Sequence, residues 1–492
     1  MIKRNNPDEF FNYLEDTSNI RGKASLLYIP QNNSEVINCL KDCYEKKIPI
    51  TLSSGHTGTT GGCVPQGGAI ISLEKLNKII NINQEKQTVC TQSGITLEDL
   101  ENQINKVNLT LRASPTESLA FVGGAIATSA SGVRGFGYGS IRKYVIGLEV
   151  ALANGMIINI KRGEIIAKGR YFDFIYETKH FKFTIPSYRL PEVKSQAGYY
   201  ANDNMDLIDL FIGSEGTLGV VVSCELNLQK VAFNIFDGLI FFPQEVNALD
   251  FVEEVKNLKR RGELKPASLE FFDKNALEFL KKEYSFIPDS GAAVYFEQEV
   301  DNQPHFEKLF FQWQGLIEEN KASLDKSIIA DTPSQRKRVF DFRHKLPQMI
   351  NEFLRSNSQT KVASDIAVPD NQFSQMYQFY KKIAIEAKIK YVNFGHIGES
   401  HLHFNFLPLN DQENRKAKEY LKKLCQKAVS LGGTVSAEHG IGKIKKPFLK
   451  IMYKESEIKE MVAVKRYFDP ACLLGKDNIF DKELLISFGS DY

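Results

Sequence analysis

The chain has no run of about 18 consecutive apolar residues, so nothing in it reads as a membrane-spanning helix. It has no CxxC pair either, and its seven cysteines (39, 43, 63, 90, 224, 425, 472) are scattered and odd in number. That argues against a disulfide framework, a structural zinc ribbon and an iron–sulfur cluster. Cys63 and Cys90 are expected to be small buried hydrophobes rather than reactive thiols. Net charge is only +2, and Lys and Arg form no stripe, which leaves no case for nucleic acid. The opening MIKRNNPDEFFNYLED is polar where a secretion signal needs an apolar run. The expectation is a reduced, cytoplasmic protein, with peripheral contact at the inner face of a membrane left open.

Histidine is scarce too, 8 residues in 492, yet half of them fall in two short segments. NFGHIGESHLHFNF carries His396, His401 and His403, and GGTVSAEHGIGK carries adjacent Glu438 and His439. The first reads as two strands joined at Ile-Gly-Glu-Ser. On the second strand, alternation puts His401, His403 and Asn405 on one face and Leu402, Phe404 and Phe406 on the other. Imidazoles above an apolar underside suit a metal or catalytic surface; solvated histidines on a polar strand edge are the plain alternative. Two neutral imidazoles and a carboxylate would leave positions open on a divalent ion, as catalytic sites do. Glu438 and His439 would point to opposite faces of a strand. They can address one site only in a turn, which the glycines at 432, 433, 440 and 442 permit.

The length implies two or three domains, and the 42% apolar and 25% charged fractions are ordinary for a globular protein. The amino-terminal third alternates strands and helices. A strand over 26–30 leads to a helix that Ser34 would cap, with Val36, Ile37, Leu40, Cys43 and Tyr44 as its apolar stripe. Strands over 48–52 and 69–73 follow. Near 230 the composition changes, and 250–360 is rich in Lys and Glu at helical spacing. A helix over 413–431, apolar at Ala417, Tyr420, Leu421, Leu424, Ala428 and Leu431, ends at Gly432-Gly433.

Three glycine-rich blocks precede that change: SSGHTGTTGG (53–62), RASPTESLAFVGGAIATSASGVRGFGYGSIRKYVIGLEVAL (112–152) and DLFIGSEGTLGVVVSCELNL (209–228). A backbone without Cβ can approach a phosphate closely. The first block, SSGHTGTTGG, is neither a GxGxxG nor a GxxxxGK[ST] loop, so nicotinamide and ATP are poor candidates. The order of the blocks, followed by FGHIGESHLHFNF, SAEHGIGK and FDPACLLGKDNIF, resembles the FAD-linked oxidase family over roughly 25–480. This family includes the D-lactate, glycolate and D-2-hydroxyglutarate dehydrogenases. The resemblance implies an α+β fold: a vanillyl-alcohol-oxidase (PCMH)-type FAD-binding domain over 1–230, an α+β cap domain with an antiparallel sheet over 231–455, and a carboxyl-terminal segment, 456–492, returning to the FAD site.

It also implies roles. Ser53, Ser54, Gly55, His56, Thr57, Gly58, Thr59 and Thr60 would wrap the FAD pyrophosphate, and Pro115, Thr116, Gly123, Gly124, Thr128, Ser131, Gly139 and Ser140 would line the flavin and phosphates. Glu215, Gly216 and Val220 would lie near the adenine and ribose, and Asn478 near the flavin. His396, His403 and Glu438 would bind a divalent metal, zinc or manganese; His439 would be the catalytic base, and Arg343 would hold the substrate carboxylate. Read from its neighbours alone (Arg336, Lys337, Arg338, Lys345), Arg343 would sit on a solvated helix face. The reaction implied is oxidation of a D-2-hydroxy acid to the 2-oxo acid with hydride to flavin N5. Electrons would pass on to a quinone, cytochrome or electron-transfer flavoprotein. An alkyl-glycerone-phosphate-synthase-like transferase and a catalytically silent flavoprotein subunit are the alternatives.

The chain departs from the family's patterns in several places, one of them mild: Ser129-Ala130-Ser131-Gly132 stands where the family favours Asn-Ala-Gly-Gly or Asn-Ala-Ser-Gly. The histidine motif usually reads GHxGDGNLH, so His401 stands in place of Asn. The tail usually reads LLNPGKIF, where this chain has LLGKDNIF. His56 lies one position away from the loop histidine that carries covalent flavin in some relatives, which implies non-covalent FAD.

Overall fold

A computed structural model describes every residue except Ser114, Thr116, Ser323 and 487–492. The chain divides into two units. Met1–Gly132, Ser140–Lys230 and the chain from Val435 onward form the first, and Val133–Gly139 with Val231–Thr434 forms the second. The return to the first unit comes ahead of the expected residue 456. It does so because Ser436, Ile441 and Lys443 are hydrogen-bonded to Gln196, Glu215 and Thr60 of that unit. Val133–Gly139 belongs with the second because it packs tightly there: a Cβ on Gly137 would lie 2.7 Å from Ala267 Cα.

In the first unit, strands Ile2–Arg4, Leu26–Ile29, Ala69–Ser72 and Ile50–Ser53 lie side by side in that order, the last three parallel. Helix Asn33–Glu45 follows Leu26–Ile29 and buries Val36, Cys39, Leu40 and Cys43. Its cap is Asn32, not Ser34, because only the extended Asn32 can bring its side-chain oxygen back onto Glu35 N, 3.0 Å away. A second sheet is antiparallel, ordered Ile79–Asn83, Thr88–Gln92, Val220–Asn227, Val145–Ala151 and Ile157–Lys161. Val36, Leu40, Ile50, Ile71, Val220 and Leu474 share one core. Leu474 arrives with the carboxyl-terminal segment, whose Leu473 carbonyl accepts from Ile50 N at 2.7 Å. Cys63 and Cys90 are half-buried rather than buried, and their surroundings still push both thiols upward. Among the described residues no two cysteines form a disulfide.

The second unit is built on one antiparallel sheet. Its order is Ile328–Ala330, Asn234–Phe242, Ala292–Val300, Pro266–Asp273, Tyr391–Gly395, His401–Phe406 and Val362–Ala363, with Ile366–Ala367 also paired to His401–Phe406. One face of this sheet changes character along its strands. Phe241, Phe272, Ala293 and Phe394 are apolar and pack on Phe342 and Leu346 of helix Pro333–Ser356. At alternate positions further along, the same strands carry Asp237, Glu270 and Glu297, all buried. Helix Asp411–Ser430, capped by Asn410, buries Ala417, Leu421, Leu424 and Ala428 as the periodicity predicts. Among the described residues no helix is long and apolar enough to cross a membrane.

Candidate active site

The histidine segment forms the expected hairpin. Tyr391–Gly395 pairs with His401–Phe406 in register Phe394↔His403. Ile397–Glu399 makes the turn, and Ser400 closes it in the left-handed region at φ 51°. His396 and His401 are buried and His403 half-buried. Their ring centroids are 5.2 Å (396–401), 5.4 Å (396–403) and 4.5 Å (401–403) apart. Each ring offers a nitrogen within 4.8 Å of the others. This is a donor set that fits a divalent cation.

Register explains the next partner. Phe271 pairs with Gly395, so Glu270 on the neighbouring strand comes up beside His396. Glu270 Oε1 lies 2.5 Å from His396 Nδ1, while Oε2 accepts from Arg343 Nε at 3.2 Å and lies 3.1 Å from Nη2. Burial works to raise the Glu270 carboxyl, but the charges of His396 and Arg343, with their hydrogen bonds, outweigh it and hold it down to about 2. Arg343 is therefore not on a solvated helix face. It shares the buried stripe Val339, Phe342, Leu346, Ile350, whereas Lys337 and Arg338 are exposed. Sequence reasoning missed Glu270. A lone carboxylate in PASLEFFD, a strand buried at every position, was the available signal.

In the first unit, Glu438 and His439 lie in a non-repetitive turn, and their side chains do face each other: His439 Nε2 is 3.5 Å from Glu438 Oε1. Lys194, also missed, places Nζ 2.9 Å from Glu438 Oε2, with both side chains largely buried. The turn is anchored from both sides. Glu215 accepts from Ile441 N and Gly442 N, both at 2.7 Å, and Thr60 O accepts from Lys443 N at 2.9 Å. Gly440 and Gly442 have φ of +73° and +52°, and a Cβ on Gly442 would fall 2.3 Å from Thr60 O. Burial pushes the Glu215 carboxyl up to about 7, against those two amides and the nearby lysines. Asn478 completes the fastening, accepting from Lys443 Nζ at 2.5 Å and donating to Gly62 O at 3.1 Å and Glu215 O at 3.3 Å.

Part of the set expected at the cofactor, the 55–62 loop and Ser131, has the chemistry to receive an anionic, phosphate-bearing group. Among the described residues, no main-chain amide from Gly55 to Gly62 donates to another group of the chain, so this run can receive phosphate oxygens. The Ser131 hydroxyl is buried with no hydrogen-bond partner among the described residues, which a bound polar group would repair. Gly55, Gly123 and Gly124 hold this region close: a Cβ on each would lie 2.6 Å from Leu119 O, 2.6 Å from Ser93 Cβ and 2.9 Å from Ser54 Oγ. His56 is committed at both ring nitrogens, to Ser53 Oγ at 2.7 Å and Glu15 O at 2.8 Å. Thr128 donates to Gly124 O at 3.1 Å, and the Ser140 and Ser129 hydroxyls are 3.3 Å apart. Val220 is buried in the core, and Gly139 ends the segment that belongs to the second unit. Thr116 lies outside the described residues.

Comparison with known proteins bears on both units. The family profile described as FAD binding domain matches residues 24–161, and the one described as FAD linked oxidases, C-terminal domain, matches residues 238–479. A D-lactate dehydrogenase of Anaerostipes hadrus is 30% identical over 484 residues, covering 95% of this chain and 92% of the relative. The glycolate oxidase subunit GlcD of Bacillus subtilis is 27% identical, covering 92% and 88%. A 4-ethylphenol oxidase from Gulosibacter chungangensis, solved with isoeugenol, shares the fold with TM-score 0.71 at 15% identity, over 98% of this chain and 95% of its own.

Proposed function

The chain belongs to the FAD-linked oxidases and is an oxidoreductase of the D-lactate, glycolate and D-2-hydroxyglutarate dehydrogenase type; from that premise we propose that it oxidises a small D-2-hydroxy acid to the 2-oxo acid. The observation that carries this reading is the buried Arg343–Glu270–His396 chain beside His403. It sets a carboxylate-binding cation next to imidazoles suited to a divalent ion.

FAD is held non-covalently by the free amides of 55–62 and by Gly123, Gly124, Ser131 and their neighbours. His396 and His403 hold the divalent cation, zinc or manganese, and the resemblance assigns Glu438 as their carboxylate partner. When bound, the flavin supplies a two-electron acceptor and the cation a Lewis acid that makes a hydroxyl more acidic. The chain's own residues bind, orient and move the proton. Arg343 spends Nε and Nη2 on Glu270, and among the described residues Nη1 has no other partner, so it remains for the substrate carboxylate. Glu270 fixes the His396 ring, the usual task of a carboxylate behind a metal-bound imidazole. His439, half-exposed beside Glu438, takes the hydroxyl proton. The electrons leave for an external acceptor: a quinone, a cytochrome or an electron-transfer flavoprotein.

The test is anaerobic mixing of the purified, metal-analysed protein with a panel of D- and L-2-hydroxy acids, following flavin absorbance near 450 nm, roughly where oxidised flavins absorb. Bleaching by one or more D-acids is expected. Absence of bleaching by every acid, from flavin-replete protein with its metal, overturns the substrate class.

A further inference from the structure

His401 is the one histidine of the hairpin that the reading above leaves without a task, and it stands where the family pattern has Asn. It is fully buried (0% exposed), and Asp365, 3% exposed, places Oδ1 3.0 Å from its Nε2. Asp365 is put there by strand register. Val362–Ala363 and Ile366–Ala367 both pair with His401–Phe406, and Ser364 and Asp365 are the two residues between them. Ser364 stays bound to the strand through Phe404 N at 2.9 Å and Leu402 O at 3.2 Å, and its carbonyl faces His403 Nδ1 at 3.3 Å. The same two-residue link thus approaches two of the imidazoles, one with a carbonyl and one with a carboxylate. Those are the two partners that usually stand behind metal-bound histidines. The His401 ring is closer to His403 than His396 is, 4.5 Å against 5.4 Å.

Resting on the metal reading above, we propose that His401 is a third imidazole ligand, oriented by Asp365, so that this chain holds its cation with three histidines rather than two. A buried Asn would offer a neutral amide oxygen. An imidazole backed by a carboxylate is a stronger and softer donor, and three imidazoles favour zinc over the oxygen-preferring manganese and magnesium. The cation is accordingly zinc.

The experiment uses the flavin-replete protein, stripped of metal and titrated with Zn2+ against a chromophoric chelator, with zinc-edge X-ray absorption to count imidazoles. The wild type is expected to bind zinc with three imidazoles. H401N, which restores the family's residue, should keep its flavin, lose one imidazole and bind zinc about 10- to 100-fold more weakly; D365N should keep three and lose about tenfold. Wild-type affinity and imidazole count in H401N overturn this inference and leave the metal reading standing. A wild-type protein that takes up no zinc overturns both. Should H401N lose its flavin, the wild-type count decides alone: two imidazoles overturn the inference.

Discussion

Glu270 Oε1 stands 2.5 Å from His396 Nδ1, and the carboxylate's other oxygen belongs to Arg343. One buried carboxylate therefore holds both the ring proposed to bind the metal and the guanidinium proposed to bind the substrate. Glu270→Gln keeps the shape and removes the charge. It leaves Arg343 buried without a counter-ion, at a cost of about 3–5 kcal/mol, and should weaken zinc binding about 10- to 100-fold. Thermal unfolding and a zinc titration read the two effects separately. Unchanged zinc affinity would remove Glu270 from the metal's support.

Arg343→Lys tests the other end. A lysine cannot reach Glu270 with two N–H groups and still present a third to a substrate. Loss of one hydrogen bond between charged groups is worth about 1.5–3 kcal/mol, so KM for the hydroxy acid should rise about 10- to 100-fold. The bleaching rate at saturating substrate should fall much less. An unaltered KM rules out the carboxylate contact.

His439→Ala should keep both flavin and metal while slowing substrate-driven bleaching by about 10²–10⁴-fold, the usual worth of a general base. Metal analysis of the variant is the discriminating measurement. If zinc leaves with the ring, His439 is a ligand and the base lies elsewhere.

Gly442→Ala probes how the Glu438–His439 turn is held. The new Cβ would meet Thr60 O at 2.3 Å, with φ at +52°. Strain of about 1–3 kcal/mol follows, and the turn must shift, so the thermal midpoint and the bleaching rate should fall together. Gly262→Ala is the control. Its φ is +75° but nothing lies within 4 Å of the new Cβ, so it should cost only about 1 kcal/mol of backbone strain and leave activity intact.

The parts of this site that sequence made legible are those written in local periodicity. The alternation in HLHFNF placed His401, His403 and Asn405 on one face, and the glycines around Glu438–His439 announced a turn. What stayed hidden depends on distant pairing. Glu270 finds Arg343 and His396 at separations of 73 and 126 residues, through strand register that no local pattern encodes. Asp365 lies between two strands of two residues each, too short to show a period. Glu215 reads as one more polar residue in a glycine block, yet its carboxylate fastens amides 226 and 227 residues away.

That fastening makes stability depend on pH. The Glu215 carboxyl is pushed by burial up to about 7, despite the amides of Ile441 and Gly442, whereas unfolded it titrates near 4.3. Between those two values the folded chain binds a proton that the unfolded chain does not. Stability from this group is therefore greatest below about pH 4 and is lost as pH rises toward about 7, by an amount on the order of 3 kcal/mol. Glu215→Gln abolishes that slope. It also offers one carbonyl oxygen to two amides, so it starts about 1–3 kcal/mol less stable at low pH. The thermal midpoints of wild type and variant should thus approach each other between about pH 5 and 7, because only the wild type declines through this group. Curves that stay parallel across that range would mean that Glu215 is ionised in the fold throughout, its burial outweighed by the two amides it holds.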